Sequence, residues 1–365
     1  MQFVPTKTAS CSSICHRPLR GVSPCEHGFD VRLARATERS TASKYAALIL
    51  PSPALTSSPR AKLRPMIETI ENEFWRLSIA PNIGASVTAL EARVDGGWQP
   101  LMRPATQLEG HSSSPFSSYT LAPFSNRIRG SHFEFSGQRY ALKPNNAHGE
   151  TIHGDVRNRA FTVTRVSNQQ FTCRLNSRDV ADANFPFSYT VIVTYLLEGA
   201  ICRTAIALEN VGNVAMPAGF GFHPYFVRRF AGSLGDPTLE FSATGYYVTD
   251  AQTMPTEGAH GLTADLDFSS AKAAYAAPLD TVFNGWGGRA ALTWDQHRLE
   301  LTASPVFTHF VAFNGAPDGT IALEPVTHAT DGFNLLARGV ENTGVRILEP
   351  LEELAGDFTL QLHAL

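Results

Sequence analysis

The chain has few charged side chains, 17% of 365 residues, and no apolar run long enough to span a bilayer. The strongest apolar cluster near its start, Tyr45-Ala46-Ala47-Leu48-Ile49-Leu50, is far short of the roughly 20 residues a transmembrane helix needs. Convincing amphipathic helices of more than about ten residues are missing too, and so is any strand–helix alternation, which argues against a doubly wound fold. No internal repeat is visible. Cysteine is scarce: of five, Cys11, Cys15 and Cys25 fall near the start, with His16 and His27 beside them. No paired CxxC knuckle is present, so no zinc module is expected, and no other metal or cofactor is called for. Cys173 and Cys202 fall in expected strands and read as buried free thiols, so a reducing cytoplasm is the default location. A net charge of −3 offers no general attraction for nucleic acid or an anionic membrane.

Charge is unevenly spread. Residues 1–65 hold ten Lys and Arg against three Asp and Glu, whereas residues 66–365 hold twenty against thirty. The first stretch is rich in Ser, Pro and Ala and lacks apolar periodicity. It reads as a disordered extension, as an Arg- and Ser-rich transit peptide, or as sequence upstream of a true start at Met66. Residues 66–365 read as one domain.

What the chain has in quantity is Gly, Pro and short alternating segments. Phe74–Ile79, Ser86–Ala92, His132–Phe135, Gln138–Leu142, Phe161–Val166, Phe171–Leu175, Tyr189–Leu196, Cys202–Asn210, Ala291–Trp294, His297–Thr302, Thr308–Phe313 and Phe358–Leu362 alternate apolar and polar residues as half-buried strands do. Asp95-Gly96-Gly97 and Ser136-Gly137 mark hairpins. The expected fold is all-β, a large antiparallel sandwich with its site on the concave face.

Ionisable residues interrupt this apolar pattern in a few places. Glu324, in Leu323-Glu324-Pro325, ends a short apolar strand before a polar loop, where a carboxylate is costly to bury without a partner or a purpose. His153 precedes Gly154 after an Asn- and Gly-rich loop. Its neighbour His148 sits at the exposed tip of that loop. His223 lies in an aromatic frame of Phe220, Phe222, Tyr225 and Phe226. One carboxylate and two imidazoles suffice for proton transfer near neutral pH. Asn126 and Arg127 stand between apolar residues and a Gly turn. The Arg fork suits vicinal hydroxyls, or else staples a loop. Asp280 and an exposed-looking Trp286 could bind hydroxyls and stack on a sugar, or be a turn Asp and a core Trp.

Taken in order, Pro123-Phe124-Ser125-Asn126-Arg127-Ile128, Ile152-His153-Gly154, Phe222-His223-Pro224-Tyr225-Phe226, Leu279-Asp280 with Phe283, and Leu323-Glu324-Pro325 with Asp331 and Asn334 resemble the aldose 1-epimerase (galactose mutarotase) family over roughly residues 66–365. The resemblance implies a β-supersandwich and a small-molecule sugar, an aldohexose, as partner; for the assembly, a monomer and a homodimer are both ordinary. It implies that Glu324 removes the anomeric hydroxyl proton and His223 protonates the ring oxygen. His153, Arg127 and Asp280 would hold the sugar, with Asn126 beside them and Trp286 as a stacking wall. At ordinary pKa values Glu324 is ionised near pH 7, and a nearby carboxylate would raise His223 as an acid requires.

The chain departs from the galactose-type pattern at Val227-Arg228-Arg229, where Arg forks raise a hexose 6-phosphate as the alternative substrate. A non-catalytic sugar-binding protein on the same scaffold is a second alternative. A sandwich module of a lyase or glycosidase is a third, since glycoside hydrolysis usually needs two placed carboxylates and Asp280 could join Glu324.

Overall fold

A computed structural model describes residues 66–108 and 110–365. The expectations for residues 1–65, including the Cys11, Cys15 and Cys25 group, lie outside the described residues.

Antiparallel strands make up nearly all of the regular structure. One sheet has nine strands and contains the longest alternating segments, among them Tyr189–Glu198, Ile201–Asn210 and Glu353–Ala364. In Ile201–Asn210 every second residue is buried, as a strand with one face on a core requires. A second sheet of eight strands carries Thr120–Leu121, Gly221–Phe222, Tyr225–Phe226, Asp280–Asn284, His309–Phe313 and Ile321–Val326. A four-stranded sheet opens the described chain, from Glu68–Glu71 to Gly97–Pro100, and the two expected hairpins close where Val94 pairs with Gly97 and Phe135 with Gln138. The one α-helix among the described residues is Gly332–Ala337.

The core joins the two large sheets. Phe222 meets Phe307 and Phe358, and Phe241 meets Phe283 and Phe310. Cys173 and Cys202 are buried and free, and burial pushes each thiol up to about 12, so they stay protonated and inert.

Glu324 corrects one expectation. It does not end its strand: Ile321–Val326 runs on through Pro325, and all six residues are buried. Proline is accepted inside this sheet because of where its missing donor falls. The Leu323 and Thr327 N–H groups donate to the Pro224 and Phe220 carbonyls, on the side where residue 325 would also point. On that side the neighbouring chain breaks between Gly221–Phe222 and Tyr225–Phe226. The same break leaves His223 free to turn toward Glu324.

Candidate active site

Pairing register decides which side chains share the face that carries Glu324. Asp280 pairs with Phe313, Val282 with Val311, Val311 with Glu324, and Phe313 with Ala322, so these residues share one face of the eight-stranded sheet. Phe283, Phe310 and Leu323 alternate onto the other face and enter the core.

Around Glu324 the structure gathers His223, His153, Tyr119, Tyr225 and Arg127. The His223 Nε2 lies 3.2 Å from Glu324 Oε1, with both side chains almost wholly buried. The His153 ring stands edge-on to His223, with centroids 5.1 Å apart at 83°. Tyr225 stacks on His223 at 4.5 Å, and Tyr119 approaches the same imidazole at 4.7 Å. Backbone bonds fix this spacing: His223 N–H donates to the Tyr119 carbonyl and Tyr225 N–H to that of Ser117. Four polar groups converge without partners: Glu324 Oε2, His223 Nδ1, His153 Nδ1 and the Arg157 Nε. Unsatisfied buried polar atoms cost free energy, and these four can each bond a polar group placed among them.

The loops that hold these groups are bent in a way few residues accept. Asn126, His153 and Asp331 all have left-handed backbones, with φ of 51°, 63° and 56°. Each such residue costs on the order of 1–2 kcal/mol unless its surroundings enforce it. Here the corners tie to one another: His153 N–H donates to the Asn126 carbonyl and Asp331 N–H to that of Arg127. Arg127 in turn pairs with Ile152. Gly154 is required next to His153, because a Cβ there would lie 2.1 Å from the Ala122 carbonyl oxygen. The Arg127 guanidinium donates to Asn126 Oδ1 at 3.1 Å and has Glu150 at 3.9 Å. Its charge acts on Glu324, Asp280, His153 and His223 alike, which puts it among all four.

The electrostatics run against the sequence expectation. Burial pushes the Glu324 carboxyl well up, helped by Asp280 and opposed by Arg127. Burial holds His223 well down, with Arg103 adding to it, and holds His153 well down, with His223 adding to it. Removing charges from water outweighs the mutual attraction of Glu324 and His223. Burial therefore favours the neutral form of the pair, a carboxylic acid against a neutral imidazole. The pair still carries one proton that can cross a 3.2 Å contact, so it can act as acid and base together. Asp280 is exposed, and partial desolvation raises its carboxyl against the lowering effect of Arg127.

Of the residues singled out from sequence, Glu324, His223, His153, Arg127, Asn126 and Asp280 come together, and His148 is exposed. Trp286 does not join them. It is 5% exposed, lies flat on Phe310 at 4.6 Å, and donates from Nε1 to the Arg289 carbonyl. Phe310 pairs with Pro325, one residue off the Glu324 register, so Trp286 sits on the core side of the sheet, away from the Glu324 face. Arg228 and Arg229 both engage Asp236, and Arg228 lies over Tyr275. Sequence reasoning missed Tyr119, Arg103 and Arg157. None stands in an alternating segment, and only contacts across the chain reveal them. Among the described residues no group of three or more His, Cys, Asp or Glu is placed to hold a metal ion, and no helix is long and apolar enough to cross a membrane.

The sequence model of the family described as aldose 1-epimerase matches residues 68–359. Among curated proteins, the uncharacterized protein YphB of Escherichia coli K12 is 26% identical over 286 residues, covering 74% of this chain and 92% of its own. The uncharacterized protein YihR of the same organism is 30% identical over 223 residues, covering 59% and 70%. Among solved structures, a galactose mutarotase-like protein from Clostridium acetobutylicum superposes with a TM-score of 0.71 at 19% identity, over 83% of this chain and 99% of that one. That last likeness concerns the fold.

Proposed function

The chain belongs to the aldose 1-epimerase family, and from that premise we propose that it interconverts the α and β anomers of a free aldohexose. The family makes it an epimerase of carbohydrates; the anomeric reaction, the free hexose and the residue roles are our reading. The observation that carries it is the buried His223–Glu324 contact at 3.2 Å, flanked by unpartnered ring nitrogens and a free carboxyl oxygen.

In this mechanism the sugar enters between the two groups and its hydroxyls displace their mutual contact. Glu324, as the carboxylate, takes the proton of the anomeric hydroxyl. His223, as the imidazolium, donates a proton to the ring oxygen, and the C1–O5 bond breaks to give the open aldehyde. Rotation about C1–C2 and closure on the other face of the carbonyl return both protons. One proton is exchanged in each direction, so the pair ends as it began. Arg127 and Asn126 donate to sugar hydroxyls, His153 bonds another through its free Nδ1, and Asp280 accepts from hydroxyls at the mouth. No leaving group departs and no redox step occurs, so positioned proton transfer is the whole chemistry.

The proton count sets the pH window. The pair works while it holds one proton. Below the lowered pKa of His223 it holds two; above the raised pKa of Glu324 it holds none. The rate should therefore follow a bell whose acid and alkaline limbs report the two protonation steps of the His223–Glu324 pair.

The test is polarimetry of freshly dissolved α-D-glucose and α-D-galactose with the full-length protein. Faster approach to equilibrium than in buffer, lost in Glu324→Gln, supports the reading. No acceleration for any free aldohexose would refute it. The hexose 6-phosphate alternative rested on Arg228 and Arg229, which Asp236 already holds, so no observation favours it.

A further inference from the structure

Behind His223 lies a layer of contacts that the proposed chemistry does not use. Tyr225 stacks on the imidazole at 4.5 Å with 25° between planes. The Arg103 guanidinium carbon lies only 3.5 Å from the centroid of the same Tyr225 ring. Two planar groups this close cannot share one face of a phenol, so Tyr225 is held between Arg103 and His223. The order is guanidinium, phenol, imidazole, and then Glu324 at 3.2 Å.

Arg103 is itself fixed on every side. Its Nε donates to the Phe116 carbonyl at 2.8 Å and its Nη2 to that of Ser114 at 2.5 Å. Its backbone N–H donates to the Tyr225 carbonyl, and its carbonyl accepts from Ser117 Oγ at 2.6 Å. Ser117 also receives the Tyr225 N–H, and two residues on, Tyr119 receives that of His223. One side chain thus braces the phenol and the segment leading into Tyr119. The Arg103 side chain is 13% exposed, and its ionic partner, Asp318 at 3.3 Å, is 44% exposed.

We propose that Arg103 is a positioning residue for the acid–base pair, clamping Tyr225 from behind so that His223 stays aimed at Glu324, while Asp318 tempers the charge that Arg103 directs at the imidazole. The mechanistic part of this rests on the role proposed above for His223; the electrostatic part does not.

The groups facing His223 are Glu324 and Tyr225 on their strands, Tyr119 before Thr120–Leu121, His153 and Arg157 on the loop after Ile152, Arg127, and Arg103 behind. After burial, Arg103 contributes most to holding His223 down. Asp318 is of opposite sign and touches Arg103 alone among these groups. Removing one or the other must therefore move His223 in opposite directions, which a purely structural role would not do. Without the Arg103 cation, His223 protonates more readily and the acid limb of the rate profile shifts to higher pH. Without the Asp318 anion, the cation acts undiluted and the limb shifts to lower pH.

The experiment follows the His223 imidazole by NMR titration in the full-length protein, assigned by the signal lost in His223→Asn, for wild type, Arg103→Met, Arg103→Lys and Asp318→Asn. It is paired with kcat and KM across pH. We expect a higher His223 pKa in Arg103→Met, a lower one in Asp318→Asn, and a value near wild type in Arg103→Lys, which keeps the charge but not the fork. We expect kcat to fall about tenfold in Arg103→Met with KM little changed, because a slightly misaimed acid costs rate more than binding. Asp318→Asn alters an exposed group and Arg103→Lys keeps the charge, so these two remain informative if Arg103→Met fails to fold. Unmoved titrations, or shifts of the same sign in Arg103→Met and Asp318→Asn, would overturn the proposal. The NMR readout needs no turnover. A protein that fails to speed mutarotation but shows the opposed shifts would refute the functional reading and keep the electrostatic clamp.

Discussion

Two pairs of buried histidines are built on opposite principles. His309 and His328 are fully satisfied. His309 Nδ1 meets Thr308 Oγ1 at 2.9 Å, and since that hydroxyl donates onward to the Thr327 carbonyl, the ring nitrogen carries the proton. Its Nε2 then accepts from the Tyr247 hydroxyl at 3.1 Å. His328 donates from Nδ1 to the Ala329 carbonyl at 2.7 Å and accepts the Ser125 N–H at Nε2. Burial pushes these two down to about 3 and about 4, so both are neutral. His153 and His223 are equally buried and also pushed down, yet each leaves Nδ1 without a partner. A satisfied ring fixes the fold. In the proposed function, a ring left open, beside a carboxyl oxygen also left open, is what the sugar engages. Burial and a depressed pKa do not separate these two uses of histidine; the hydrogen-bond inventory does.

The largest effect should come from the open pair. Glu324→Gln or His223→Asn should lower the anomerisation rate by on the order of 10²–10⁴-fold while circular dichroism stays native. Glu324→Gln should also stabilise the fold at neutral pH. A folded pKa raised above the unfolded value means that the unfolded chain releases its proton first, so stability is lost as pH rises from 4.5 through the folded pKa. The gain should therefore vanish in acid, as thermal melts at several pH values would show. Equal melting points for the two proteins at all pH values would contradict the burial account.

Arg127→Ala should raise KM about tenfold and change kcat less, because its donors serve binding. A mainly kcat effect would move Arg127 into the chemistry.

His309→Gln should do the reverse of the open pair. It should cost about 1–3 kcal/mol in stability by leaving the Tyr247 and Thr308 hydroxyls poorly partnered, with the rate within about threefold of wild type. The deficit should shrink as pH falls below 6.5. There the unfolded wild-type chain takes up a proton that folded His309, at about 3, refuses, and the wild type loses stability that the variant does not. Urea melts at pH 7 and pH 5 measure both. Loss of turnover without loss of stability would break the contrast between the two pairs.

The smallest effect on activity is expected at Trp286→Phe, where KM should stay within about twofold and only the melting point should fall, because the indole packs on Phe310 in the core. A raised KM would place it at the sugar after all.

These contrasts also show how far the sequence could be read. Alternation exposed the long strands, such as Tyr189–Glu198 and Ile201–Asn210, because each has one wet and one dry face. It was silent for Thr120–Leu121, Gly221–Phe222 and Tyr225–Phe226, which are two residues long and buried throughout. Those short strands hold Tyr119 and His223 in place. Glu324, His223 and His153 stood out because ionisable residues interrupted apolar runs. Trp286 was misplaced because Gly285 beside it suggested a surface turn. In fact Gly285 has φ of 63° and a Cβ there would meet Thr244 Oγ1 at 2.0 Å, so the glycine serves a tight core corner. Which face a residue takes depends on strand register, and register is a property of the partner strand. The direction of the Glu324 and His223 shifts was hidden for a related reason: depth of burial belongs to the assembled fold.

The central claim is that the open His223–Glu324 pair, and no other buried group, exchanges anomers. It is tested most directly by saturation transfer between the C1 protons of the two anomers of one aldohexose, with wild type, His223→Asn and His309→Gln compared at equal folded concentration. The account predicts transfer with wild type and His309→Gln and none above buffer with His223→Asn. Undiminished transfer with His223→Asn would contradict it.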